Sequence, residues 1–184
     1  MTRLYLSSLL LVGACAADPV SYSAPVGIEM KIKSSDVTQS IVTERKDITT
    51  EVGNPYGAFT NDAIAQLGGK QPSRIELDEL TLSLGAQSTG VSALEQVMTG
   101  DIDVALLVNN SSNTYDAGHV TNPTGIGPVA MDATFDWSTV APLDRTEIIN
   151  GSFKVVLRGP AAPGFSALDA NAVLQTTFTF TAFQ

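Results

Sequence analysis

The one histidine limits the chemistry open to this 184-residue chain. His119, in Asp116-Ala117-Gly118-His119, is the only imidazole that could act as a base near neutrality. A Ser-His-Asp or Cys-His mechanism would have to use it, yet no serine stands in a Gly-x-Ser-x-Gly elbow. His119 reads as a surface residue. Paired carboxylates offer a second chemistry, glycoside hydrolysis by an acid and a base flanking the bond. Asp101 with Asp103, and Asp132 with Asp136, each fall on one face of an expected strand. Neighbours on one strand face lie about 7 Å apart, which would not exclude that chemistry. Both pairs are nevertheless the polar half of an alternating strand, and neither has an aromatic wall in sequence to raise one acid.

Oxygen ligands for a hard cation are concentrated in one stretch. Asn109, Asn110, Asn113 and Asp116 form the calcium candidate, although no Asp-x-Asp-x-Asp-Gly loop accompanies them. Tyr115, in the same stretch, is the ligand-binding candidate and could stack on a sugar ring. Trp137 could stack on a sugar in the same way, but it keeps phase with Val129, Met131 and Phe135 and reads better as core. No Walker A motif, dinucleotide fingerprint or HExxH zinc motif occurs. These residues point to binding, and the chain is read as a non-enzyme with calcium its only candidate cofactor.

The elements that would position these residues are strands. Ile28, Met30 and Ile32 alternate with charged residues, and Arg74 to Leu84 alternates with a phase slip at Asp78-Glu79 that suggests a β-bulge. Ile102 to Val108 is the central strand candidate. Val129 to Trp137 alternates most cleanly, Phe153 to Leu157 follows Asn150-Gly151, and Thr176 to Phe183 is β-branched or aromatic at every position but Ala182. Ser40 to Val52 is a further candidate, interrupted by Glu44-Arg45-Lys46-Asp47 as a turn or exposed edge. One helix is expected over Asn61 to Leu67, capped by Thr60 or Asn61 and ended by Gly68-Gly69, after a turn at Asn54-Pro55-Tyr56-Gly57. Ser92 to Glu95 has capping-box spacing. Asn109 to Gly127 reads as one long polar loop. Seven to eight short strands with one or two short helices predict an all-β fold, an antiparallel β-sandwich, with a closed barrel as the main alternative.

Charge narrows the partners. Ten lysines and arginines face nineteen acids, a formal charge of −9. Such a surface repels phosphate backbones, and no basic stripe interrupts it, so nucleic acid is not expected as a partner. With one cysteine the chain has no internal disulfide and no zinc ribbon.

That cysteine lies in the stretch that assigns an address. Arg3 precedes an almost wholly apolar run from Leu4 to Val12, then Gly13, Ala14 and Cys15. The run is about half the ~20 residues that a spanning helix needs. Val12-Gly13-Ala14-Cys15 resembles the bacterial lipobox, which identifies residues 1–14 as a lipoprotein signal peptide. The resemblance implies diacylglyceryl on the Cys15 thiol and cleavage before it. Acylation of the new amino terminus would add a further chain, and two or more chains give stable anchoring. Ala16 follows the cysteine where an aspartate would imply inner-membrane retention, so the resemblance implies an outer-membrane or cell-surface destination. Residues 15–27, with two prolines and no apolar period, read as the lipidated terminus and a tether. Residues 28–184 are then one domain. The expected partners are a membrane, through the lipid on Cys15, and a protein or glycan.

Overall fold

A computed structural model describes residues 20–48 and 53–184. Residues 1–14, expected to be a signal peptide, and Cys15, the expected lipidation site, lie outside the described residues. Eight antiparallel strands and two short helices make the fold all-β, as the alternation predicts. The strands are β1 (Ser21–Lys33), β2 (Ile41–Ile48), β3 (Arg74–Leu84), β4 (Asp101–Val108), β5 (Thr114–Thr121), β6 (Val129–Ala133), β7 (Phe153–Pro160) and β8 (Asn171–Phe183). The helices are α1 (Pro55–Gln66) and α2 (Pro142–Ile149).

The strands follow one continuous order, β1-β8-β3-β6-β5-β4-β7-β2. They form a single eight-stranded sheet, nearly barrel-like, that curls round one core, and β6 joins its β1-β8-β3 leaf to its β5-β4-β7-β2 leaf. Val129 to Met131 pair with Leu82 to Leu80 of β3, after which Asp132 and Ala133 pair with His119 and Gly118 of β5. Five residues thus serve both leaves. On the far side β1 and β2 approach each other, but no ladder joins them among the described residues.

The core is built from the alternation itself. Val26, Ile28, Met30 and Ile32 of β1 are buried, as are Ile102, Val104, Leu106 and Val108 of β4. The same holds for Phe153, Val155 and Leu157 of β7 and for Phe178 and Phe180 of β8. Tyr56 of α1 meets Phe153 and Phe180 edge-on, with ring centroids 5.1 and 5.6 Å away. Burial pushes its phenol well above the ordinary tyrosine range, and its hydroxyl donates to the Ile148 carbonyl at 2.7 Å. That carbonyl, in the last turn of α2, also accepts from the Gly151 N–H at 3.0 Å.

Several expectations shift. The tether expected over residues 15–27 loses Ser21 to Gly27 to β1. Val26 is fully buried, Tyr22 stacks on Phe59 at 6.0 Å, and Pro25 is tolerated because β1 is an edge strand. The charged group Glu44 to Asp47 sits inside β2, at the other edge, and does not form a turn. Helix α1 begins at Pro55, inside the expected turn and ahead of the expected cap at Thr60 or Asn61. Asn54 is the N-cap and accepts from the Tyr56 N–H at 2.9 Å, with Pro55 at the first helical position. The bulge in β3 is present, with the register slipping between Leu77 and Glu79.

The loop expected over Asn109–Gly127 contains β5, a polar strand whose signal is blurred by its own bulge against Val104 and Ala105. The strand expected to run to Trp137 stops at Ala133, because Asp136 caps a 3₁₀ turn, Trp137–Thr139, accepting from the Ser138 N–H at 2.8 Å. Trp137 is still buried. Asp132 and Asp136 therefore do not share a strand face. Helix α2 follows, and strand β7 runs through Arg158-Gly159 to Pro160.

The junction rests on Gly118. A Cβ there would lie 2.6 Å from the Asp132 carbonyl oxygen and 2.9 Å from Leu80 Cδ2, so β3, β5 and β6 meet only around a missing side chain. Gly118→Ala is expected to lower stability by about 1–3 kcal/mol through overpacking. Urea unfolding followed by far-UV circular dichroism measures this, and an unchanged midpoint would mean the strands meet more loosely.

Candidate functional site

Three cavities bear on the site, and the calcium candidates line two of them. The first lies beside the β4–β5 turn and α2, about 490 Å³, with Asn110, Ser111 and Asn113 on one wall and Ala141, Pro142 and Leu143 on the other. Helix α2 starts where Ala141-Pro142 fixes its first turn, and this presents Asp144 towards the turn. The Tyr115 hydroxyl donates to Asp144 Oδ2 at 2.6 Å and accepts from the Ala141 N–H at 3.1 Å. Asn113 Nδ2 donates to the same carboxylate oxygen at 2.7 Å. Asp144 is only 2 % exposed, so it is a buried charge that owes its ionisation to these donors. Tyr115 first and Asn113 second hold its carboxyl below the usual carboxylate range. Burial, and then the Asp144 carboxylate, push the Tyr115 phenol up. Tyr115 thereby locks α2 to the β4–β5 hairpin.

The four calcium candidates do not share a cavity. Asn110 and Asn113 line the one just described, Asp116 lines another, and Asn109 sits in the turn that follows β4. Among the described residues no group of three or more His, Cys, Asp and Glu side chains is placed to hold a metal ion.

Asp116 lines the second cavity, about 310 Å³, with Asp103, His119 and Thr134. Strand register sets His119 opposite Asp103 on one side and Asp132 on the other. His119 Nε2 is 3.6 Å from Asp132 Oδ2, and both side chains are exposed. Asp101, meanwhile, accepts from the Thr121 hydroxyl at 2.6 Å. These carboxylates decorate an open face.

The third cavity, about 550 Å³, is the one the sequence did not reveal. Pairing of β3 with β6 stops at Leu80, because β6 then turns to β5. The β6-side edge of β3 from Arg74 to Asp78 is left without a ladder partner among the described strands. Phe135, Trp137 and Arg145 face it across the gap. Phe135 and Trp137 meet edge to face, with centroids 6.4 Å apart. Arg74 lies over the Phe183 ring at 4.1 Å and pairs with Glu76 at 3.3 Å. Arg145 donates from Nε to the Val140 carbonyl and from Nη2 to the Ser138 carbonyl, which props it 5.9 Å from the Trp137 ring. Asp78, the bulge residue, accepts from the Thr181 hydroxyl. Ser138, through its side chain and then its backbone, keeps the Asp136 carboxyl below the usual range.

The missed residues are Asp144, Arg74 and Arg145. Arg74 and Arg145 are ordinary surface charges in sequence, and only the departure of β6 brings them to one gap. No protein-family model matches the chain, and no curated protein sequence matches it.

Tyr115→Phe is expected to destabilise by about 1.5–3 kcal/mol at neutral pH, the range for a hydrogen bond to a charged group. Because the Asp144 pKa is lowered by folding, its contribution is complete above the unfolded value of about 3.9 and lost as pH falls. The raised Tyr115 pKa acts the other way, with a contribution present below about pH 10 and lost above it. Thermal melts across pH check both limbs. An acid limb equally steep in Tyr115→Phe and the native chain would remove Tyr115 from the account.

Proposed function

We propose that this protein is a lipid-anchored β-sandwich of the bacterial cell envelope, at the outer membrane or cell surface, that works by binding or scaffolding and not by catalysis. The observation that carries this reading is the run Leu4 to Val12 followed by Gly13-Ala14 and the only cysteine of the chain. The chain beyond the cysteine supports it. The sheet starts at Ser21, six residues on, a span of at most about 20 Å when extended. The anchor would therefore hold the domain against the bilayer. Apolar side chains point into the core while Glu29, Lys31, Thr177 and Thr179 face outward, the opposite of the outward apolar band of a membrane barrel. No helix among the described residues is long and apolar enough to cross a membrane.

Expressed in a bacterium with an alkyne fatty acid, the full chain should become labelled and sediment with membranes. Cys15→Ser should lose both the label and the membrane fraction while melting at the same temperature. Labelling that survives Cys15→Ser would reject the anchor. A native chain that stays unlabelled and leaves the membrane pellet empty would do the same.

A further inference from the structure

We infer that the gap between β3 and the Phe135–Trp137 segment is a binding site for a neutral oligosaccharide. This deepens the binding half of the proposed function and is independent of the lipid anchor.

The chemistry of the walls selects the ligand. A sugar ring presents apolar C–H faces rimmed by hydroxyls, each a donor and an acceptor. It needs an aromatic surface with both kinds of polar partner around it. Phe135, half-buried, supplies the surface, and Trp137 backs it edge-on. The donors are guanidiniums. Arg74 is held by ring stacking and by one ion pair through Nη1; its Nε is buried, so the exposed end of the guanidinium is what faces the gap. Arg145 has two of its nitrogens committed to carbonyls, which fixes its plane and leaves Nη1 as a third donor group. The acceptors are the lining carboxylates Glu76, Asp78 and Asp136, the last two each with one oxygen already accepting, from Thr181 and Ser138 respectively.

Two arginines against three acids leave the cleft close to neutral, inside a chain of formal charge −9. That field disfavours anionic ligands, and the guanidiniums disfavour cations. Neutral hydroxyls satisfy both donors and acceptors. At about 550 Å³ the cleft has the volume of a typical small-ligand site, roughly 300–1,000 Å³. It is also preformed, because the seam at β6, the 3₁₀ turn and α2 build its walls.

Trp137 is the only tryptophan, so its emission reports on this cleft alone. The full chain is titrated with maltohexaose, cellohexaose and chitohexaose, and separately with inorganic phosphate. At least one oligosaccharide should change the emission saturably, with Kd on the order of 1 mM or below. Phe135→Ala should weaken that response about tenfold or more, and so should Glu76→Ala, a rim residue whose loss leaves the core intact. Circular dichroism of each variant verifies the fold, and Glu76→Ala carries the test if Phe135→Ala does not fold. No saturable change with any of the three sugars overturns the proposal. So does a sugar response of full strength in Glu76→Ala, or a response to phosphate in place of sugar, which would make the cleft an anion site. Fatty-acid labelling at Cys15 is unaffected by any of these results, so the anchor and the cleft fail separately.

Discussion

The absence of a side chain at Gly118 is the constraint on which the two leaves depend. A Cβ added there would lie less than 3 Å from both the Asp132 carbonyl and Leu80, so the residue marks a close approach of β5, β6 and β3. Each leaf has its own ladders, but the leaves are hydrogen-bonded to each other only through β6 among the described strands. Without that short strand the hydrophobic faces would still attract one another. Their relative register, however, would be set by side-chain packing alone, which is less specific than a ladder.

The same short strand explains why the molecule has a cleft at all. A β6 long enough to follow β3 down to Arg74 would have closed the sheet there, leaving no space for a ligand. Because β6 leaves after Met131, the lower edge of β3 is faced instead by a 3₁₀ turn and by α2. Helix α2 is in turn held from two sides, by Tyr115 at Asp144 near its start and by Tyr56 at the Ile148 carbonyl near its end. One wall of the cleft is thus fixed by two tyrosines that do not line it. Order there is inherited from the core.

The sequence was legible where one face of a strand is buried and the other solvated. Arg74 to Leu84, with its bulge, and Ile102 to Val108 read correctly because every second residue is apolar. It was less legible in β5, where Thr114, Asp116 and His119 give almost no apolar signal and pairing to β4 decides the structure. It misled at Phe135 and Trp137, which keep the strand phase although the backbone has already turned. The lone cap at Asp136 outweighs the alternation there. Helix α1 had a clear signal in Asn54-Pro55, a cap followed by proline at the first position, which the turn propensity of the same residues concealed. The candidate site was least legible. Tyr115 and Asn113 stood out as polar loop residues, but their partner Asp144 comes from another element, and the arginines of the cleft are about seventy residues apart, roughly half the span of many domains. Periodicity carries no information about such pairings.

The rung Ser21–Phe183–Arg74 runs across three adjacent strands at one end of the sheet. It has a mechanical meaning. Val20 and Gln184 lie side by side just beyond it, the Gln184 N–H donating to the Val20 carbonyl at 3.1 Å. A pull that draws residue 20 away from residue 184 therefore acts along the hydrogen bonds of the antiparallel β1–β8 ladder, so the pairs open one after another and are not sheared together. Under tension β1 would peel from its outer end while the β6 seam, on the other side of β3, stayed shut.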